Sequence, residues 1–174
     1  MAETQPGATR HMSMPPGATR PMSMPGEEFP AYPELGIDVP VAWEPFAWAG
    51  AAMGVRHAVS TSGFAPNVLV MIERWPGEVS DEDGAKVLRQ RIAMAKGREL
   101  DAATDELGLS LGAEQRDPQR GPMLVRYRQI LLRRGPVTDV ATAVGTCTRT
   151  QADAIGEELR GIVESLRASA PAER

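Results

Sequence analysis

One cysteine, two histidines and two lysines in 174 residues remove several kinds of chemistry at the outset. Cys147 has no second thiol to pair with, so no internal disulfide and no oxidising compartment are required. Only His57 lies beyond the N-terminal tail, and one histidine with one cysteine falls short of a zinc-type ligand set. No stretch approaches the roughly 20 apolar residues that span a bilayer. No basic region followed by an apolar run opens the chain, so it reads as cytoplasmic as written. The net charge of −4 gives no global attraction to nucleic acid or anionic lipid. There is no phosphate-cradling glycine loop and no dinucleotide fingerprint. Neither a cofactor nor a metal is expected.

What is present is enough apolar sequence, 42% of residues, to build one core. Residues 1–28 stand apart as a tail rich in proline, methionine and serine. Within it, residues 6–15 recur as 16–25 with Pro21 in place of His11. Two copies cannot stack as a solenoid, and the segment is expected to be disordered. A single domain is expected over 29–169, and a loose terminus over 170–174.

Alternation of period two marks the strands. Ile37, Val39, Val41 and Trp43 predict a first strand with Pro40 at an edge or bulge. Val55, His57 and Val59 predict a second. Residues 67–75 are apolar on both sides and predict a central strand. Ser80, followed by Asp81, Glu82 and Asp83, starts a helix with Ala85, Leu88, Ile92 and Ala95 on one face and Gly97 at its end. A short strand is placed at 107–114, and another at 123–131 with Arg126 and Arg128 on its wet side. The strand at 137–147 alternates Thr and Val against Ala141, Ala143, Gly145 and Cys147. That small face is shaped to receive the last helix, capped by Thr150 and striped by Ile155, Leu159, Ile162, Val163 and Leu166. The order defines an α+β sandwich: one mostly antiparallel sheet of about six or seven strands, with both helices expected on its apolar face.

Three segments carry a family resemblance. They are Val39-Pro40 with Trp43 in the first strand, Pro66-Asn67-Val68 with Val70 in the central strand, and Ile162-Val163 with Ser165-Leu166-Arg167 closing the last helix. Together they resemble the Mog1/PsbP-like superfamily, and within it the actinobacterial LpqN-type branch. The resemblance implies an α/β/α sandwich that works by binding: an adaptor, a secretion-system chaperone or an envelope accessory protein, not an enzyme. LpqN-type members are typically exported lipoproteins; this chain has neither lipobox cysteine nor signal segment, and no catalytic motif is carried over.

Read residue by residue, the candidates for chemistry are few. His57 shares a face with Val55 and Val59 and is expected to be partly buried, without a nucleophile on its own side. Cys147, on the small face, is expected to be a buried inert thiol. The acidic run Glu78, Asp81, Glu82 and Asp83 lacks the alternating ligands of a calcium loop and fits a helix start. Arg126 and Arg128 either solvate the sheet or clamp an anion. Trp43, Phe46, Trp48, Met53 and Trp75 either fill the core or, with Trp48 in a loop, line a surface for a protein partner or an apolar, lipid-like ligand. The chain is therefore expected to be a binding or accessory protein, with a homodimer among its possible states and an aromatic loop and the adjacent sheet as its contact surface.

Overall fold

A computed structural model describes residues 21–26, 28–58, 60 and 63–169. The first copy of the tandem repeat, the first half of the second, Val59, Thr61 and Pro171 lie outside the described residues. The fold grows outward from β8 (Val137–Thr148), whose backbone pairs with all of β4 (Asn67–Pro76) on one side and, along its whole length, with β7 (Gly121–Arg134) on the other. Beyond β4 lie β3 (Met53–His57) and β2 (Trp43–Pro45); beyond β7 lie β6 (Leu109–Asp117) and β5 (Arg98–Thr104). All neighbours in this seven-stranded sheet run antiparallel. A separate two-stranded ribbon joins β1 (Glu34–Gly36) to β9 (Arg167–Ser169).

Residues directly opposite one another across an antiparallel pair share a face, so the register sorts the side chains. One face carries Val68, Val70, Ala141, Ala143, Gly145 and Ile130, and α2 (Ala152–Glu164) lies on it through Leu159, Ile162 and Val163. The other carries Leu109, Leu111, Ala113 and Tyr127, and is covered by α1 (Asp81–Met94) through Leu88 and Ile92. The helices therefore take opposite faces, which corrects the expectation of a helix pair on one side. The cause lies in β8. Its threonines do not face water: Thr138 is fully buried, donating to the Gly77 carbonyl at 2.8 Å and accepting from Val79 N–H at 3.1 Å. A central strand buried on this side too is not the wet face of a one-sided sandwich.

Local chemistry explains the ends of the elements, and corrects four of them. The first strand is not formed over 37–43. Pro40 has no N–H to give a ladder, and its carbonyl instead accepts from Trp43 N–H at 3.0 Å, closing a turn that leaves Val41 fully exposed. The expected strand at 107–114 is the β6 strand begun two residues late, because Leu107 belongs to the 105–108 turn and is exposed. Thr150 does not cap α2. The capping box sits two residues earlier: Thr148 Oγ1 accepts from Gln151 N–H at 3.3 Å, and Gln151 Oε1 accepts from Thr148 N–H at 2.9 Å. Gln151 Nε2 also donates to the Phe64 carbonyl at 2.9 Å, fastening the β3–β4 connection to the helix start.

Ser80 caps α1 as expected, accepting from Asp83 N–H at 3.1 Å. The C-terminus of α1 is a Schellman turn, with Gly97 N–H reaching Ile92 O at 2.8 Å and Lys96 N–H reaching Ala93 O at 2.9 Å. The left-handed residue is Lys96 (φ 55°), not Gly97. Gly97 is needed for space, since a Cβ there would lie 2.7 Å from Ile92 Cγ2. Lys96→Gly is accordingly expected to stabilise the protein by about 0.5–1 kcal/mol, read as a higher thermal midpoint. An unchanged or lower midpoint would show that the lysine side chain has a role of its own.

Candidate functional site

The seven residues expected to form a contact surface divide between the two faces of the sheet. Trp43 and Met53 lie on the α2 side. Trp43 is buried at 5% exposure, meets His57 edge-on at 5.4 Å, and donates from Nε1 to Glu158 Oε1 of α2 at 2.6 Å. Met53 packs against the same core. Both are interior, so neither lines an open surface with Trp48.

Arg126 and Arg128 also lie on the α2 side, where solvent exposure was expected. Arg128 is instead 3% exposed. Its Nη2 donates to both oxygens of Asp105, at 2.6 and 2.9 Å, and Nη1 to Ser110 Oγ at 3.0 Å. The Arg128 bond, together with the Leu107 and Gly108 N–H groups, holds the Asp105 carboxyl down to about 2. A depressed carboxyl stabilises above its unfolded value near 4 and releases as pH falls through about 2, so this clamp on the β5–β6 turn is intact at neutral pH. Arg126 donates to Asp101 across Gly112, where a Cβ would displace the guanidinium. Both cations are spent on intramolecular carboxylates.

Phe46, Trp48 and Trp75 face the α1 side, but α1 covers only the β6–β7 half of that face. Over β3, β4 and β8 the side chains Leu69, Met71 and Val144 stay half-buried. The β2–β3 hairpin borders this open half. Between Phe46 and Met53 it has no charged side chain, and the indole N–H of Trp48 is its one strong side-chain hydrogen-bonding group. Phe46 lies over Gly54, and Trp48 meets Phe46 edge-on at 6.3 Å while remaining 62% exposed. Arg56 stacks 6.0 Å from the Phe46 ring and pairs with Glu44 at 2.8 Å. Trp75 sits near the far end of β4, about 20 Å along the strand from Leu69. Its Nε1 donates to Glu73 Oε2 at 3.0 Å. Arg91 of α1 grips Glu73 at 2.6 and 2.7 Å, holding that carboxyl below the usual range and closing the α1 border of the open surface.

Two features escaped the reading of the sequence. Asp139 is fully buried on the α2 side of β8 between Arg74, at 2.7 and 3.0 Å, and Arg134. The Tyr32 ring covers the Arg74 guanidinium at 4.3 Å. The second is a cleft of about 160 Å³ between α1 and the β5–β6 hairpin, floored by Leu109, Gln129 and Leu131. Another, of about 300 Å³, lies by Pro33, Leu132 and Ala168. None of the seven expected residues lines either one.

His57 is half-buried, and Cys147 is 1% exposed with its thiol pushed up by burial. Among the described residues no group of three or more His, Cys, Asp or Glu side chains could hold a metal ion. No helix among them is long and apolar enough to cross a membrane.

No family model and no curated protein matches this sequence. Solved structures do. The chain superposes on the crystal structure of LpqN, involved in cell envelope biogenesis of Mycobacterium tuberculosis, with a TM-score of 0.63 at 14% identity, covering 82% of this chain and 87% of that one. The solution structure of cyanobacterial PsbP from Synechocystis sp. PCC 6803 gives a TM-score of 0.47 at 12% identity, covering 86% of this chain and 98% of that one. The class of the protein is thereby defined at the level of fold: it is α+β, with the fold of LpqN. At 14% identity the likeness goes no further than that fold.

Proposed function

We propose that the protein is a non-catalytic accessory protein that docks a protein partner on the uncovered half of the α1-side face, with the Phe46–Trp48 hairpin as its anchor. The observation that carries this reading is Trp48, whose indole is 62% exposed in a hairpin tip devoid of charge. An indole held edge-on by Phe46 is largely ordered before any partner arrives, so little side-chain freedom is lost on docking. Exposed, pre-organised tryptophans are typical interface anchors. Neither described cleft includes the hairpin, which favours a protein surface over an enclosed small ligand. The LpqN likeness adds a fold whose described member is associated with envelope biogenesis, and the accessory role is in keeping with that.

In the test, wild-type and Trp48→Ala chains are tagged in the native host and captured with their bound proteins and lipids. The reading expects one protein partner enriched by the wild type and lost with the variant, at unchanged abundance and thermal midpoint. Trp48 fluorescence in the free chain should be quenched by acrylamide and shielded by that partner. A partner set indifferent to Trp48→Ala would overturn the assignment, and enrichment of lipid alone would replace the protein partner with an apolar ligand.

A further inference from the structure

The open half of the sheet ends in an unpaired backbone edge. β3 stops pairing with β4 at the Met53–Val70 pair, but β4 continues to Pro76 along β8. Which way its backbone points is fixed by two bonds: His57 N–H reaches Pro66 O at 2.8 Å, and Ala52 N–H reaches Val70 O at 2.8 Å. Even-numbered residues of β4 therefore turn their peptide groups toward β3, and odd-numbered ones toward β8. Past Val70, the N–H and C=O of Ile72 and Arg74 point where no strand follows. Among the described residues no turn or loop group bonds them either. Both residues are only half-buried.

Resting on the docking surface proposed above, we infer that its partner adds an extended strand to this edge, antiparallel or parallel to β4. Two donors and two acceptors, spaced two residues apart, are the complement of a strand backbone and of little else. The side chains around the edge narrow the choice. Met71 and Trp75 flank it on the α1 side, so the added strand presents apolar residues there at alternate positions. Glu73 is paired with Arg91, and Arg74 shares Asp139 with Arg134. Both side chains flanking the edge are engaged within the chain, and an uncharged segment fits. A second copy of the chain fits poorly. The two-fold register that bonds Ile72 to Arg74 across the pair sets Glu73 directly opposite its own counterpart, where the flanking Met71 and Trp75 call for an apolar residue. The window is short, bounded by the β2–β3 hairpin at one end and the Pro76-Gly77 turn at the other.

The experiment uses the full chain and a seven-residue synthetic peptide alternating valine and threonine, with a control peptide N-methylated at alternate amides. Amide hydrogen exchange is followed residue by residue while tryptophan fluorescence reports occupancy. In the free chain the Ile72 and Arg74 amides should exchange quickly and those of Met71 and Glu73 slowly. Saturating peptide should slow Ile72 and Arg74 by about tenfold or more, and the methylated peptide should bind at least about tenfold more weakly. No binding at millimolar peptide would overturn the inference. So would slow exchange at Ile72 and Arg74 in the free chain, which would mean the edge is already covered by the chain's own N-terminal segment or, if concentration-dependent, by a second copy. Partner capture that depends on Trp48 but leaves both amides unprotected would end the strand reading while leaving the docking surface standing.

Discussion

Asp139→Ala is expected to cost about 3–5 kcal/mol, a large share of the roughly 5–15 kcal/mol that holds an ordinary domain folded. Asp139 is wholly buried, and removing it strands Arg74 and Arg134 on the α2 side of β8 without a counter-charge. The loss should appear in urea unfolding as a lower midpoint with an unchanged slope. Asp139→Asn keeps the shape but not the charge and should also be destabilising. The pH dependence has a definite sign. Burial raises the Asp139 carboxyl, but bonds from Arg74 and Arg134 and their charges outweigh it, and the net shift is downward. A depressed carboxyl stabilises above its unfolded value near 4 and loses that contribution as pH falls through its folded value. The wild type should therefore lose stability with acid below about pH 4, and the alanine variant should lose less over the same interval. Equal acid sensitivity in the two proteins would show that the triad is not what titrates.

Gly145→Val is expected to cost about 1–3 kcal/mol or more by overpacking. A Cβ at Gly145 would lie 2.6 Å from Val163 Cγ2 and 3.0 Å from Leu159 Cγ. Both belong to α2 and both are 1% exposed, so neither has room to swing aside. The helix must lift from β8 or the strand must bend. Because the strain is local to one pair of surfaces, a second substitution, Val163→Ala, should return part of the loss; neighbouring sites of this kind are not additive. A double variant no better than the sum of its parts would place the strain elsewhere.

The Gly145 contact was legible in the sequence, and it shows which information the chain exposes. Ala141, Ala143, Gly145 and Cys147 at every second position, followed by a stripe of large aliphatics at helical spacing, state the packing of α2 on β8 almost in full. What stayed hidden is of three kinds. β5 has no apolar alternation because all seven of its residues are exposed, so period gave no signal. Its place in the sheet rests on backbone pairing with β6 and on ion pairs that link Asp101 to Arg126 and Glu99 to Arg89. The second kind is polar burial. Thr138, Arg128 and Asp139 look like surface residues until distant partners arrive from the Gly77–Val79 link, Asp105 and Arg74, and no local pattern announces such partners. The third is the face of a half-strand. Ile37, Val39 and Val41 alternate convincingly, but Pro40 cannot supply the ladder, and a turn wins. At the candidate site the hairpin of Phe46 and Trp48 stood out by its composition. The exclusion of Trp43 and Met53 depended on strand parity across β2 and β3, which shifts with a single residue of register.

The ribbon of β1 and β9 has a consequence for how the molecule comes into being. Glu34, near the start of the described chain, finds its place only against Ser169, near the end. On a ribosome the hairpins and α1 can form before β8 joins them, yet Leu35 has no partner strand until β9, the last strand in chain order, has been made. The clasp closes last. Because it brings the two ends of the domain side by side, a short linker between them with new termini at an exposed turn should leave the architecture whole.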